Sequence, residues 1–142
     1  MKIPAKVHYA IVIMTDLAMQ NKKATITSSA IALRQNISFA FVSQILNRLK
    51  NAGLLNSVRG GVSGGYRLQK LPSEITIKKI IDAAEPTFCI CPGKDIKTDR
   101  PVDDAIRAFW EQIGTEINKR FEGLTLEDLV KKEKNSSGGS CI

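Results

Sequence analysis

The segment that most constrains the fold spans residues 36–66, where an amphipathic helix runs directly into a glycine-rich hairpin. The helix is predicted at Phe39 to Ala52, and its inward positions are Phe41, Val42, Ile45, Leu46 and Leu49. Ser38 is suited to cap it, and Gly53 to end it in the left-handed conformation. Strands at 54–58 and 66–69 then form a hairpin whose tip carries Arg59 and four glycines.

Two further helices are predicted before this segment. The first covers 5–20, with an apolar stripe at Val7, Ala10, Ile11, Met14, Leu17 and Ala18. The second covers 28–35, and Asn36 makes the turn that follows it. Three helices followed by a hairpin indicate a mainly α fold with a small β-hairpin wing, a winged helix-turn-helix.

The second half of the chain alternates helix and loop. A fourth helix begins at Thr76 and stops at Pro86. The irregular loop 87–100 contains two cysteines, and a long fifth helix runs from Pro101 to Phe121. A short last helix follows Thr125, and the charged, Ser/Gly-rich tail from Lys131 is expected to be disordered. The predicted divisions are 1–71 (winged helix-turn-helix), 72–100 (connecting helix and cysteine loop), 101–130 (dimerisation and terminal helices) and 131–142 (tail).

Composition narrows the class of protein. The chain has 142 residues, 43% of them hydrophobic, and a net charge of +7, which suits phosphate binding. No apolar run reaches the roughly 20 residues needed to span a bilayer, so a cytoplasmic protein is expected. A Cys–His pair could in principle act as nucleophile and base, but there is one histidine and no orienting partner. An enzyme is therefore not expected.

The polar face of the third helix has the side chains that read a DNA major groove. Gln44 matches the donor and acceptor of adenine, Ser43 can bond a base edge, and Ser38 can bond a phosphate. Arg59 on the glycine-rich tip is suited to a minor groove. The predicted contacts are Ser38, Phe39, Ala40, Ser43, Gln44, Asn47, Arg59, Gly60, Gly61, Ser63 and Gly64. Plain structure or a protein-binding module remains the alternative, although the positive charge favours DNA.

Four segments carry a resemblance to a known family. They are MKIPAKVHYA at the start, LNRLKNAGLLNSVRGGVSGGYRL in the helix and hairpin, ITIKKIIDAAE in the fourth helix and TLEDLV near the end. Together they span nearly the whole chain. The sequence resembles the Rrf2 family of bacterial transcription regulators, which includes regulators that respond to iron–sulfur clusters, nitric oxide and cysteine metabolism.

The resemblance implies a homodimer joined through the long fifth helix. The residues expected at that interface are Val102, Ile106, Phe109, Trp110, Ile113, Ile117 and Phe121. This apolar face is also too wide for burial on one small domain. A twofold dimer would read a pseudo-palindromic operator with half-sites about one helical turn, or a multiple of it, apart.

The resemblance also implies a sensor, but this chain departs from the family pattern. Family members that hold an iron–sulfur cluster carry three cysteines in the loop, whereas here there are two, Cys89 and Cys91. Cys141 in the tail and His8, which matches a family ligand position, complete four candidate ligands. Cys89 and Cys91 are judged too close for an easy mutual disulfide. Reversible thiol oxidation or a cofactor-free regulator is the open alternative.

Overall fold

A computed structural model describes residues 2–20, 25–59, 65–92, 96 and 99–138, with the side chains of 136–138 left out. The fold is mainly helical with one antiparallel hairpin, as the sequence predicts. The helices are α1 (Ala5–Met19), α2 (Ser28–Gln35), α3 (Phe39–Asn51), α4 (Ile77–Ala84), α5 (Pro101–Gly123) and α6 (Leu126–Gly138). The strands are β1 (Leu55–Val58) and β2 (Gly65–Leu68), and a 3-10 turn covers Pro72–Glu74.

Hydroxyl caps start α2, α3, α4 and α6, the last of them through Thr125. The Thr27 side chain accepts a hydrogen bond from the Ala30 amide at 3.1 Å, and the Ser38 and Thr76 hydroxyls do the same for α3 and α4. Each cap satisfies an amide of the first helical turn that has no partner within the helix. Between α2 and α3, Asn36 adopts the left-handed conformation with φ 54°, which asparagine tolerates better than most residues. These local choices set the helix-turn-helix angle.

The core lies where α1, α3 and α4 meet. Its fully buried side chains include Ile13, Met14, Ile31, Ile45, Leu46, Leu49, Ile75, Ile80 and Leu126. Ile13 was missing from the predicted stripe of α1, while Ile11 and Ala18 are only half-buried. The stripe is displaced because α1 packs against several elements, α3, α4 and α6 among them, and therefore buries more than one line of residues. Within the described part of the chain, no helix is both long and apolar enough to span a membrane.

A short ladder joins α4 to the turn between α5 and α6. The Ile77 amide donates to the Leu124 carbonyl at 2.9 Å, and the Leu126 amide donates to the Ile75 carbonyl at 2.8 Å. Leu126 is completely buried beside this ladder. The C-terminal end of α5 is therefore held on the body of the molecule.

The prediction of a disordered tail from Lys131 is wrong for residues 131–138, because α6 continues to Gly138. Thr125 caps this helix, and its amide in turn donates to Asp128 Oδ2 at 2.9 Å. Lys131 lies 3.9 Å from Glu127 one turn earlier. The charged composition of this segment led to the prediction of disorder. Lysine and glutamate are nevertheless good helix formers, so the same residues form a helix once its first turn is anchored.

The hairpin is tied to the helices through Gly65. Leu55 pairs with Leu68, and Val58 pairs with Gly65. Ile26 forms an isolated β-bridge to the hairpin, in which it exchanges two backbone hydrogen bonds with Tyr66. Gly65 has φ +145°, and a Cβ there would lie 2.6 Å from the Ile26 carbonyl oxygen. Only glycine permits this approach.

We expect Gly65→Ala to lower the free energy of unfolding by about 2 kcal/mol or more, since the new methyl strains the backbone and clashes with Ile26. Chemical denaturation monitored by circular dichroism measures this. Gly123→Ala is the matched control, because Gly123 is helical and a Cβ there meets nothing within 4 Å. That variant should be neutral or slightly more stable. Equal stability of Gly65→Ala and wild type would contradict the assignment.

Candidate nucleic-acid interface and cysteine loop

The two faces of α3 differ sharply in character. Val42, Ile45, Leu46 and Leu49 are buried, so the opposite side of the helix faces solvent. Of the predicted contacts there, Ser38, Phe39, Ala40, Gln44 and Asn47 are exposed and Ser43 is half-buried. The helix thus presents amide and hydroxyl groups in a row that no element of the described chain covers.

An aromatic contact sets the tilt of α3 against α1. The Phe41 ring packs edge-on against Tyr9, with ring centroids 5.8 Å apart and planes at 90°. Phe41 is half-buried rather than fully inward as predicted, because it lies at the start of the helix. This edge-to-face geometry is the favourable one for aromatic pairs.

Arg59 follows β1 and is exposed. Val58, the residue before Arg59, pairs with Gly65 of β2. The other predicted wing contacts, Gly60, Gly61, Ser63 and Gly64, lie outside the described residues. Asp16 is the only acidic residue before Glu74, and it pairs with Arg34 at 2.7 Å. The helix-turn-helix and its wing therefore form a positively charged half of the chain, which favours polyanions.

The cysteine pair differs from the sequence-based expectation. Cys89 and Cys91 form a disulfide, so the judgement that they are too close is wrong. The chain bends at Ile90 and holds the two Cα atoms 5.7 Å apart, within the range that disulfides span. Both residues are exposed. Solvent access of this kind is what reversible thiol chemistry requires.

The cysteine loop rests on α5 at a glycine. A Cβ at Gly114 would lie 3.1 Å from the Ile90 carbonyl oxygen, closer than most Cβ contacts. A methyl group at 114 would require the Ile90 carbonyl to shift by a few tenths of an ångström. The sequence analysis missed this contact, although an isolated glycine inside a helical pattern is a known sign of close packing.

The loop begins at a charged cluster that the sequence analysis also missed. The Thr87 hydroxyl donates to Glu85 Oε1 at 2.8 Å, and this bond holds the pKa of Glu85 below its usual value. Lys6 and Arg48 lower the pKa of the same carboxyl further. Arg48 also donates to the Ala84 carbonyl at 3.3 Å, which joins α3 to the end of α4.

The four residues predicted as cluster ligands do not come together in the described chain. His8 is exposed on α1, with its ring edge against Tyr9, and Cys141 lies outside the described residues. Cys89 and Cys91 are bonded to each other. Among the residues described, no three histidine, cysteine or carboxylate side chains gather as a metal site.

The predicted interface residues of α5 are mostly uncovered. Val102, Ile106, Phe109 and Trp110 are 40–54% exposed, and Ile113 and Ile117 are half-buried. Phe121 differs, because it packs against the core of its own chain. No α5 residue is fully buried.

A second apolar surface runs along α1 as a groove of about 540 Å³. Its floor includes Val7, Ile11, Val12 and Met19. Phe88, the residue before Cys89, and His8 line it as well.

The helix-turn-helix, its hairpin wing and the long outlying helix define a winged helix-turn-helix protein. A sequence profile of the Rrf2 family, described as iron-dependent transcriptional regulators, matches residues 3–132. The chain therefore belongs to the Rrf2 family, a family of transcriptional regulators and not of enzymes.

Individual relatives agree with this assignment. An HTH-type transcriptional regulator of Neisseria meningitidis is 32% identical over 100% of this chain and 96% of its own length. The structure of CymR, the global cysteine regulator of B. subtilis, matches with a TM-score of 0.76 and 32% identity, covering 93% of this chain and 98% of that one. The structure of IscR from T. potens matches with a TM-score of 0.78 and 29% identity, covering 99% and 93%.

Proposed function

We propose that this chain is a homodimeric, sequence-specific DNA-binding regulator whose affinity for its operator depends on the oxidation state of Cys89 and Cys91. The single observation that supports DNA reading best is the exposed polar face of α3 beside the Arg59 hairpin, in a half of the chain with one acidic residue. As a regulator that acts on bacterial DNA, it would work in the cytoplasm.

In the proposed complex, α3 lies in the major groove. The amide of Gln44 bonds adenine N6 and N7, and Asn47 and Ser43 reach neighbouring base edges. The Ser38 hydroxyl oxygen already accepts a hydrogen bond from the Phe41 amide. The hydroxyl hydrogen of Ser38 is then available to donate to a phosphate. Arg59 and the glycines after it follow the adjacent minor groove.

The apolar face of α5 and the groove along α1 support a dimer. Phe109 and Trp110 are large apolar side chains left about half in water, and the groove on α1 offers an apolar surface to receive them from a second copy. Burying both surfaces in one twofold contact removes them from solvent. The two α3 helices would then read half-sites about 34–36 Å apart, or a multiple of that spacing.

Signal sensing is proposed to occur at the cysteine pair. Hydrogen peroxide oxidises the two thiols: the Cys89 and Cys91 sulfurs bond to each other and give up two electrons and two protons, and the hydrogen peroxide is reduced to two waters. A dithiol reductant reverses the reaction. The exposed pair, one residue apart and bonded in this structure, supports such a cycle.

An iron–sulfur cluster that responds to redox state or nitric oxide is the second candidate. The family description as iron-dependent and the likeness to IscR favour it. Cys89 and Cys91 would supply two ligands, and the others would come from His8 of a second copy and from Cys141. When bound, the cluster would supply electron-transfer chemistry.

For base reading, we expect Gln44→Ala to lose about 1–3 kcal/mol of discrimination at one base pair, because a bidentate contact is lost. Arg59→Ala should weaken operator binding and flatten its salt dependence. Fluorescence anisotropy with operator variants at several salt concentrations measures both. Asn135→Ala and Arg120→Ala, which remove an exposed amide and an exposed charge elsewhere, are the matched controls. Wild-type behaviour of both test variants would defeat this reading face.

For the dimer, we expect Trp110→Glu to convert two-chain particles to single chains, since the carboxylate would be buried unpaired. Light scattering after gel filtration gives the mass directly. Leu33→Glu is the control, because Leu33 is 83% exposed on α2, away from the α5 face. A dimer that survives Trp110→Glu unchanged would contradict the proposed interface.

For the sensor, we expect the operator affinities of reduced and peroxide-treated protein to differ about fivefold or more. Cys89→Ser should abolish the difference, whereas Cys141→Ser should keep it. Iron and sulfide analysis of anaerobically purified protein separates the two candidates. Stoichiometric iron and sulfide that disappear in Cys89→Ser would replace the disulfide cycle with a cluster, and equal affinities with no iron would refute both.

A further inference from the structure

Arg48 lies on α3 one turn after Gln44, but its guanidinium faces the body of the protein. Its Nη1 donates to the carbonyl oxygen of Ala84, the last residue of α4, at 3.3 Å. Carbonyls of a last helical turn lack partners within the helix and carry the negative end of its dipole. Arg48 is half-buried, whereas Gln44 and Asn47 on the same helix are exposed. It is therefore placed to hold α3 and not to read bases.

The cysteine loop begins close to the Ala84 carbonyl that Arg48 binds. Glu85 follows Ala84, and its carboxylate interacts with the charges of both Arg48 and Lys6. The Phe88 amide donates to the Glu85 carbonyl at 3.1 Å, which closes a turn directly before Cys89. The segment 84–88 thus links the Arg48 guanidinium to the cysteine pair through a short, hydrogen-bonded piece of backbone.

The far side of the loop has little room to move. The Ile90 carbonyl lies against Gly114 on α5, and Phe88 packs against the core. A change in the Cys89–Cys91 segment cannot move it further into α5. The displacement is then taken up at the exposed hydrogen bond between Thr87 and Glu85.

We propose that Arg48 is the positioning residue through which the state of the cysteine loop sets the orientation of α3 on DNA. This inference rests on the proposed function. In one state of the loop, the Ala84 carbonyl binds the guanidinium and fixes α3. In the other state the turn shifts, the hold weakens, and Gln44 and Asn47 leave their reading positions. The contact biases a two-state element, which physical coupling between sites requires.

The test compares the ratio of operator affinities between reduced and peroxide-treated protein. We expect this ratio to fall from about fivefold or more in wild type to near one in Arg48→Gln. Arg48→Lys keeps the positive charge and can still donate a hydrogen bond, so it should retain part of this affinity ratio. Lys50→Gln removes the same charge from an exposed position on α3 and should keep the full ratio. Circular dichroism and thermal melting establish that all variants are folded.

A purely structural role for Arg48 gives a different result. Arg48→Gln would then weaken binding by the same factor in both states and leave the ratio unchanged, which would overturn the proposal. An unchanged affinity in both states would overturn it as well.

A second experiment does not depend on thiol chemistry. Gly114→Ala places a methyl about 3.1 Å from the Ile90 carbonyl oxygen and displaces the loop. We expect Gly114→Ala to change operator affinity about threefold or more when Arg48 is present. The same substitution should have no effect in the Arg48→Gln background, so the two effects are not additive. If wild type shows no redox dependence but this cycle is non-additive, the sensing proposal fails and the role of Arg48 stands. Additive effects would refute that role, whatever the signal is.

Discussion

The burial of one face of α3 is the constraint on which the remaining structure depends. Val42, Ile45, Leu46 and Leu49 are all at or below 1% exposure, so rotating the helix would expose four large apolar side chains. Burial of such side chains contributes about 1.5–3 kcal/mol each. Because the apolar face is fixed, the polar face with Gln44 and Asn47 is fixed as well. The same packing places Arg48 on the side of α4.

Glycines determine the two closest contacts outside the core. Gly65 lets β2 pair with residue 26, so the hairpin is hydrogen-bonded to the body of the protein. Gly114 lets the cysteine loop lie on α5. Close packing at Gly65 makes the hairpin a rigid support. Close packing at Gly114 joins the chemically reactive cysteine loop to α5, the helix with the exposed apolar face.

Acidic residues and uncovered apolar surface are both distributed unevenly in this protein. The first half is almost free of acidic residues, and the one present, Asp16, is neutralised by Arg34. Uncovered apolar surface lies on α5 in the second half and also along α1, which belongs to the first half. Acidic residues are therefore separated between the two halves, whereas uncovered apolar surface occurs in both.

The sequence by itself determined the order of the helices, the Ser38 and Thr76 caps, the turn at Asn36, the left-handed Gly53 and the exposed position of Gln44, because periodicity and capping chemistry are local. Its motifs alone also indicated the Rrf2 family. Only the tertiary structure decided that Ile13 is buried, that α6 reaches Gly138 and that Cys89 bonds Cys91. The contacts of Arg48 with Ala84 and of Gly114 with Ile90 join residues 24 or more positions apart. Such contacts depend on how whole elements pack, and no local pattern of residues encodes that.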